Sequence, residues 1–167
     1  VMGSEIAQVA AAAGCSVVLL DIDDAAVSRG VAHIRSIGER RVARGRMPQD
    51  QADAVAARVH TAVDIAAVGG CDLVIEAGPE VLELKRELWR SIDAAAPPSA
   101  LLASNASGLS ITTLARETRR PERVMGLHFF NPASVMRLVE VIRGADTADA
   151  TIDAGMAIAA RLGKTPV

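Results

Sequence analysis

The run Ser16-Val17-Val18-Leu19-Leu20-Asp21 decides the fold. Four apolar residues in unbroken succession suit a strand buried on both faces, and the acid that closes them marks where the strand leaves the sheet. Helical periodicity flanks the run. It covers residues 4–13 before, closed by Gly14, and residues 24–44 after, where Asp23 and Asp24 are candidate caps at the positive end of the helix.

The same rhythm continues outward. Gly45 and Pro48 break the chain ahead of a helix predicted over 49–59. Strands are predicted at 72–76, 100–103, 124–128 and 137–142, with a last one from 165. Helices are predicted at 80–94, 111–118 and 149–162, the last stopped by Gly163. Strands alternating with helices predict an α/β fold, a Rossmann-type doubly wound, mostly parallel sheet with helices on both faces.

Composition agrees. Half of the 167 residues are hydrophobic, mainly small or β-branched, with two Phe, one Trp and no Tyr, as helix-on-sheet layers require. A net charge of −2 and the lack of a basic tail exclude a nucleic-acid-binding surface. No apolar run is long enough to cross a bilayer and no signal-peptide pattern is present, so a cytoplasmic protein without a membrane partner is expected. Cys15 and Cys71 lack metal-ligand spacing and precede strand-like runs, so no metal is expected and both read as buried free thiols.

Gly3 opens a helix, and Asp21 ends a strand about twenty residues later, the interval of a dinucleotide fingerprint. Gly3 fits the third glycine of such a fingerprint, where backbone N–H groups meet a pyrophosphate at the helix start. Asp21 would accept hydrogen bonds from the adenosine ribose and repel a 2′-phosphate. No Arg follows it in Ile22-Asp23-Asp24, which favours NAD over NADP.

His128-Phe129-Phe130-Asn131-Pro132 is the chemical centre of the sequence. A histidine here ends a buried strand at the carboxyl edge, where α/β sheets hold ligands. Imidazole suits removal of a proton from a secondary alcohol while hydride leaves for nicotinamide. Glu140 stands twelve residues on in the next strand, and a turn between the two would bring its carboxylate to one imidazole nitrogen, as base and orienter. Arg40, Arg41, Arg44 and Arg46 supply four of the eighteen basic residues within seven positions, a composition suited to a phosphate-bearing substrate.

Taken in order, several segments resemble the 3-hydroxyacyl-CoA dehydrogenases. They are Val1-Met2-Gly3, Asp21, Asp72-Leu-Val-Ile-Glu-Ala77, Pro79-Glu80 with Lys85, Ala103-Ser104-Asn105 with Ser107, the His-Phe-Phe-Asn-Pro block, and Leu162-Gly163-Lys164. The resemblance implies His128 as catalytic base with Glu140 as its partner. It implies Asn131 and Ser107 at substrate and cofactor, Glu80 and Lys85 as cofactor contacts on the helix after the strand at 72–76, and Arg44 as a coenzyme A contact. It further implies NAD as cofactor and an acyl-CoA substrate, with Asn131–Glu140 reading like the free-standing short-chain (3-hydroxybutyryl-CoA) enzymes. A multifunctional fatty-acid oxidation protein and a non-CoA hydroxy-acid dehydrogenase are the alternatives. Val1 in place of Met, and an ending at Gly-Lys-Thr-Pro-Val, lead us to expect one incomplete NAD-binding domain over 1–167. By the resemblance it would lack its first central strand and a C-terminal helical domain that mediates a homodimer, and would be inactive alone.

Overall fold

The computed structural model describes residues 2–167; Val1, which opens the Val-Met-Gly match, lies outside them. The chain forms α1 (Met2–Ala12), β1 (Val17–Leu20), α2 (Asp24–Ala43), α3 (Gln49–Ala57), β2 (Val59–Ala62), β3 (Leu73–Glu76), α4 (Leu82–Ala95), β4 (Leu101–Ser104), α5 (Ile111–Ala115), β5 (Val124–Phe129), β6 (Leu138–Ile142), α6 (Asp149–Arg161) and β7 (Thr165–Pro166). Short 3-10 turns lie at Ile65–Gly70 and Pro121–Arg123. The strands hydrogen bond in two sheets, one of two strands and one of five. Each sheet belongs to its own compact unit.

The first unit runs to Asp64 and includes Asn131–Val135. Its sheet is the parallel pair β1–β2, with Val17 opposite Val59 and Leu20 opposite Ala62. Ala7 of α1, Leu19 of β1 and Ile34 of α2 form its core, with Val17, Val31 and Val59 against them. Asp23 caps α2 by accepting a hydrogen bond from Ala26 N–H at 2.7 Å, an interaction worth about 1 kcal/mol. The sequence reading missed β2 and assigned Val59 to a helix. His60 and Thr61 in its middle are exposed, so it lacks the apolar run that betrays a buried strand.

The second unit comprises Ile65–Phe130 and Met136–Val167. Its sheet has the order β3-β4-β5-β6-β7, parallel except where β5 meets β6. All residues of β5 are buried except half-buried His128, in keeping with its continuous apolar sequence. Leu102, Val124, Met125, Leu127 and Val139 are fully enclosed, and α5 and α6 pack on β5. The stop predicted at Gly163 is present, with φ of +73° after α6. Cys15 and Cys71 are free but half-buried, not buried as expected, because each sits in a turn ahead of its strand. Burial, and then the Asp72 carboxylate, push the Cys71 thiol above its ordinary range. No described helix is long and apolar enough to cross a membrane.

Candidate functional site

In the second unit, β5 and β6 run antiparallel in a register that sets His128 opposite Glu140. The imidazole Nδ1 lies 2.7 Å from Glu140 Oε2. A carboxylate only accepts, so Nδ1 carries the hydrogen, and in the neutral ring Nε2 presents its lone pair. No described residue hydrogen bonds to Nε2, and Phe130 tilts against the ring at 4.7 Å between centroids. The arrangement can take up a proton at Nε2 while the carboxylate fixes the tautomer and balances the resulting charge.

The carboxyl end of β4 lies beside β5, and that of β3 beside β4, in the same sheet. Asn105, in the turn after β4, accepts a hydrogen bond from Phe129 N–H at 2.8 Å and donates its own N–H to the Glu76 carbonyl at 2.8 Å. The turn thereby ties the end of β3 to the residue after His128. Ser107, two residues on, donates both N–H (2.7 Å) and Oγ–H (2.6 Å) to Glu80 Oε1. Those two bonds, the hydroxyl's first, hold the exposed Glu80 carboxyl below its ordinary range.

Two predicted placements need correction. Glu80 is not on the helix, because α4 begins at Leu82 and Glu80 lies in the preceding turn, where its carboxylate reaches Ser107 instead of capping the helix. Lys85 is not on a solvated face but 1% exposed, and its ammonium contacts both Glu76 carboxylate oxygens at 2.6 and 2.7 Å. A buried ammonium requires such a partner.

Sequence reasoning passed over Glu76 and Ser104. Glu76 ends β3 as Asp21 follows β1, an acid closing an apolar strand, and that repetition was the available signal. The structure separates the two. Glu76 is buried, whereas Asp21 is exposed, with Oδ1 accepting from Ile22 N–H at 2.8 Å.

The remaining predicted residues belong to the first unit. Gly3 lies in the first turn of α1, and Asp21 directly follows β1. Arg44 is the exposed C-cap of α2, beside exposed Arg40 and Arg46. Asn131 is exposed, and its peptide bond to Pro132 is cis.

The family described as 3-hydroxyacyl-CoA dehydrogenase, NAD binding domain, matches residues 1–167. The 3-hydroxyadipyl-CoA dehydrogenase of Escherichia coli is 42% identical over 99% of this chain and 35% of its own length. A probable 3-hydroxybutyryl-CoA dehydrogenase of Bacillus subtilis is 40% identical over 99% of the chain and 58% of its own length. The crystal structure of (S)-3-hydroxybutyryl-CoA dehydrogenase from Ralstonia eutropha superposes with a TM-score of 0.97 at 40% identity, over 99% of this chain and 59% of that one. The chain thus spans between about a third and three fifths of the length of these relatives.

Proposed function

The chain belongs to the 3-hydroxyacyl-CoA dehydrogenase family through its NAD binding domain, and on that footing we propose that the whole protein interconverts L-3-hydroxyacyl-CoA and 3-ketoacyl-CoA thioesters. Short acyl chains such as 3-hydroxybutyryl are the substrates. The observation that carries the reading is the His128–Glu140 pair, with Nδ1 engaged and Nε2 open.

The residues fit the dinucleotide. Asp21 is exposed at the end of β1, with one carboxylate oxygen on Ile22 N–H and the other open to ribose hydroxyls. Gly3 belongs to the first turn of α1, where backbone N–H groups suit a pyrophosphate. Glu80 and Ser107, exposed in the turns after β3 and β4, would meet the cofactor there, with Lys85 behind their loop. When bound, NAD supplies the hydride acceptor. His128 Nε2 takes the 3-hydroxyl proton as hydride leaves C3, with the Glu140 carboxylate against the imidazolium; in the reverse direction His128 returns the proton to the ketone oxygen. Asn131 holds substrate and cofactor, Ser107 stands by the 3-hydroxyl, and Arg44 meets coenzyme A phosphate. Residues 1–167 form the NAD-binding domain of a cytoplasmic enzyme that dimerises through a helical domain outside them.

The test is the full-length protein with acetoacetyl-CoA and NADH. Loss of NADH absorbance is the expected result. Unchanged absorbance with the thioester, alongside reduction of a free keto acid, would overturn the reading in favour of a non-CoA dehydrogenase.

A further inference from the structure

We propose that Glu76 is a positioning residue, whose buried carboxylate, paired with Lys85, holds the turns after β3 and β4 so that Glu80 grips Ser107, and thereby sets cofactor affinity without touching the cofactor. The inference rests on the function proposed above. Glu76 is 4% exposed. Its Oε1 accepts from Gly78 N–H at 2.6 Å and from Lys85 Nζ at 2.6 Å. Its Oε2 accepts from Lys85 Nζ at 2.7 Å, Ser104 Oγ at 2.9 Å and Trp89 Nε1 at 3.3 Å.

Hydrogen-bond inventory decides how Lys85 acts. An ammonium has three donors, and the Gly78 carbonyl at 3.2 Å joins the two Glu76 oxygens as the third acceptor. None is left for a ligand, and the charge is neutralised where it sits. What the pair does instead is fix Gly78 at both its N–H and its carbonyl, two residues before Glu80. A Cβ on Gly78 would stand 3.0 Å from Glu76 Oε1, so a side chain there would press on the carboxylate that the loop closes over. On the other side, Ser104 Oγ passes the network to Ala106 N–H at 3.2 Å, the residue before Ser107.

The Glu80–Ser107 contact itself is exposed, and contacts of that kind are too weak in water to hold two loops by themselves. The geometry is imposed from beneath. Buried ion pairs add little net stability, and fixing a single arrangement is a use to which they are suited.

The experiment is NADH affinity, by fluorescence titration, in the full-length protein, with kcat and KM for acetoacetyl-CoA measured alongside. Lys85→Met leaves the Glu76 carboxylate unpaired and is expected to weaken NADH binding about tenfold to a hundredfold, as loop misplacement does. Glu76→Gln with Lys85→Met restores a neutral node that still accepts from Gly78 and Ser104, and should return affinity to within about threefold of wild type. A double variant as weak as Lys85→Met would mean that Lys85 meets the cofactor directly, and would overturn the proposal. Should Lys85→Met not fold, Glu76→Asp keeps both charges but withdraws the carboxylate by one methylene. Several-fold weaker NADH binding at unchanged kcat is expected from it, and unchanged affinity would equally overturn the proposal. A wild-type protein that binds NADH but ignores the thioester would refute the function while leaving these binding comparisons decisive.

Discussion

His128 and Glu140 are direct cross-strand partners on β5 and β6, joined Nδ1 to Oε2 at 2.7 Å. In the full-length protein, Glu140→Gln keeps a hydrogen-bonding group in place but removes the charge that supports imidazolium. Turnover is expected to fall by about 10²- to 10⁴-fold, the range of general acid–base contributions, with NADH affinity unchanged. His128→Gln should abolish turnover and spare cofactor binding. Steady-state kinetics beside NADH titration checks both, and turnover intact in either variant would refute the assignment.

The pair depends on close approach of the two strands. Gly126 stands opposite Ile142, two residues before His128, and a Cβ there would lie 2.7 Å from Ile142 Cβ. Gly126→Ala therefore forces β6 away from β5. A loss of about 1–3 kcal/mol in denaturant unfolding is expected, together with reduced kcat. Wild-type stability would show that the ladder accommodates the methyl group.

Asp93, on α4, holds the segment that leads into β5. Its Oδ2 accepts from Arg119 Nε at 2.8 Å and its Oδ1 from Arg120 Nε at 2.8 Å. Arg120 is 8% exposed and also donates to the carbonyls of Asp93, Ala96 and Pro97. Asp93→Ala strands a buried guanidinium charge, and a cost of about 3–5 kcal/mol is expected in urea unfolding.

Burial raises the Asp93 carboxyl, but the hydrogen bonds and charge of Arg119 and Arg120 outweigh it, so the folded value lies below the ordinary one. A depressed carboxyl contributes stability that is present above its unfolded value and is lost as pH falls through the folded one. Glu80, lowered first by the Ser107 hydroxyl and then by its N–H, acts in the same direction. Tm should therefore drop below about pH 4, the ordinary range of these acids, and Asp93→Asn should flatten that drop. An identical acid profile in the variant would exclude Asp93 as the source.

Asp21 makes a prediction about cofactor choice. Its exposed carboxylate would face the 2′-phosphate of NADP with like charge. Asp21→Ser should raise kcat/KM for NADPH relative to NADH by on the order of tenfold, and an unchanged ratio would remove Asp21 from the ribose site.

The residues that announced themselves in the sequence are those whose surroundings are local. β1, β3 and β5 read as strands because they carry continuous apolar runs, and His128 and Asp21 stood out as polar groups closing such runs. Glu140 was found by spacing, because a single turn joins its strand to that of His128. β2 escaped because its middle residues are polar and exposed, leaving no apolar run. Glu80 and Lys85 were read together, five positions apart, yet their partners are distant and different. Glu80 reaches Ser107, 27 residues on, while Lys85 turns inward to Glu76. Those partnerships arise from the packing of β3 against β4, which no local pattern records.

The antiparallel step between β5 and β6 has one more consequence. Parallel neighbours need a crossover of a dozen or more residues before the chain can return, whereas antiparallel ones need only a turn. His128 and Glu140 consequently lie within one uninterrupted stretch of thirteen residues, counting both ends of their twelve-residue separation. Base and orienter are inherited as a single cassette, which a recombination event or a designer can transplant whole, with its register already written in.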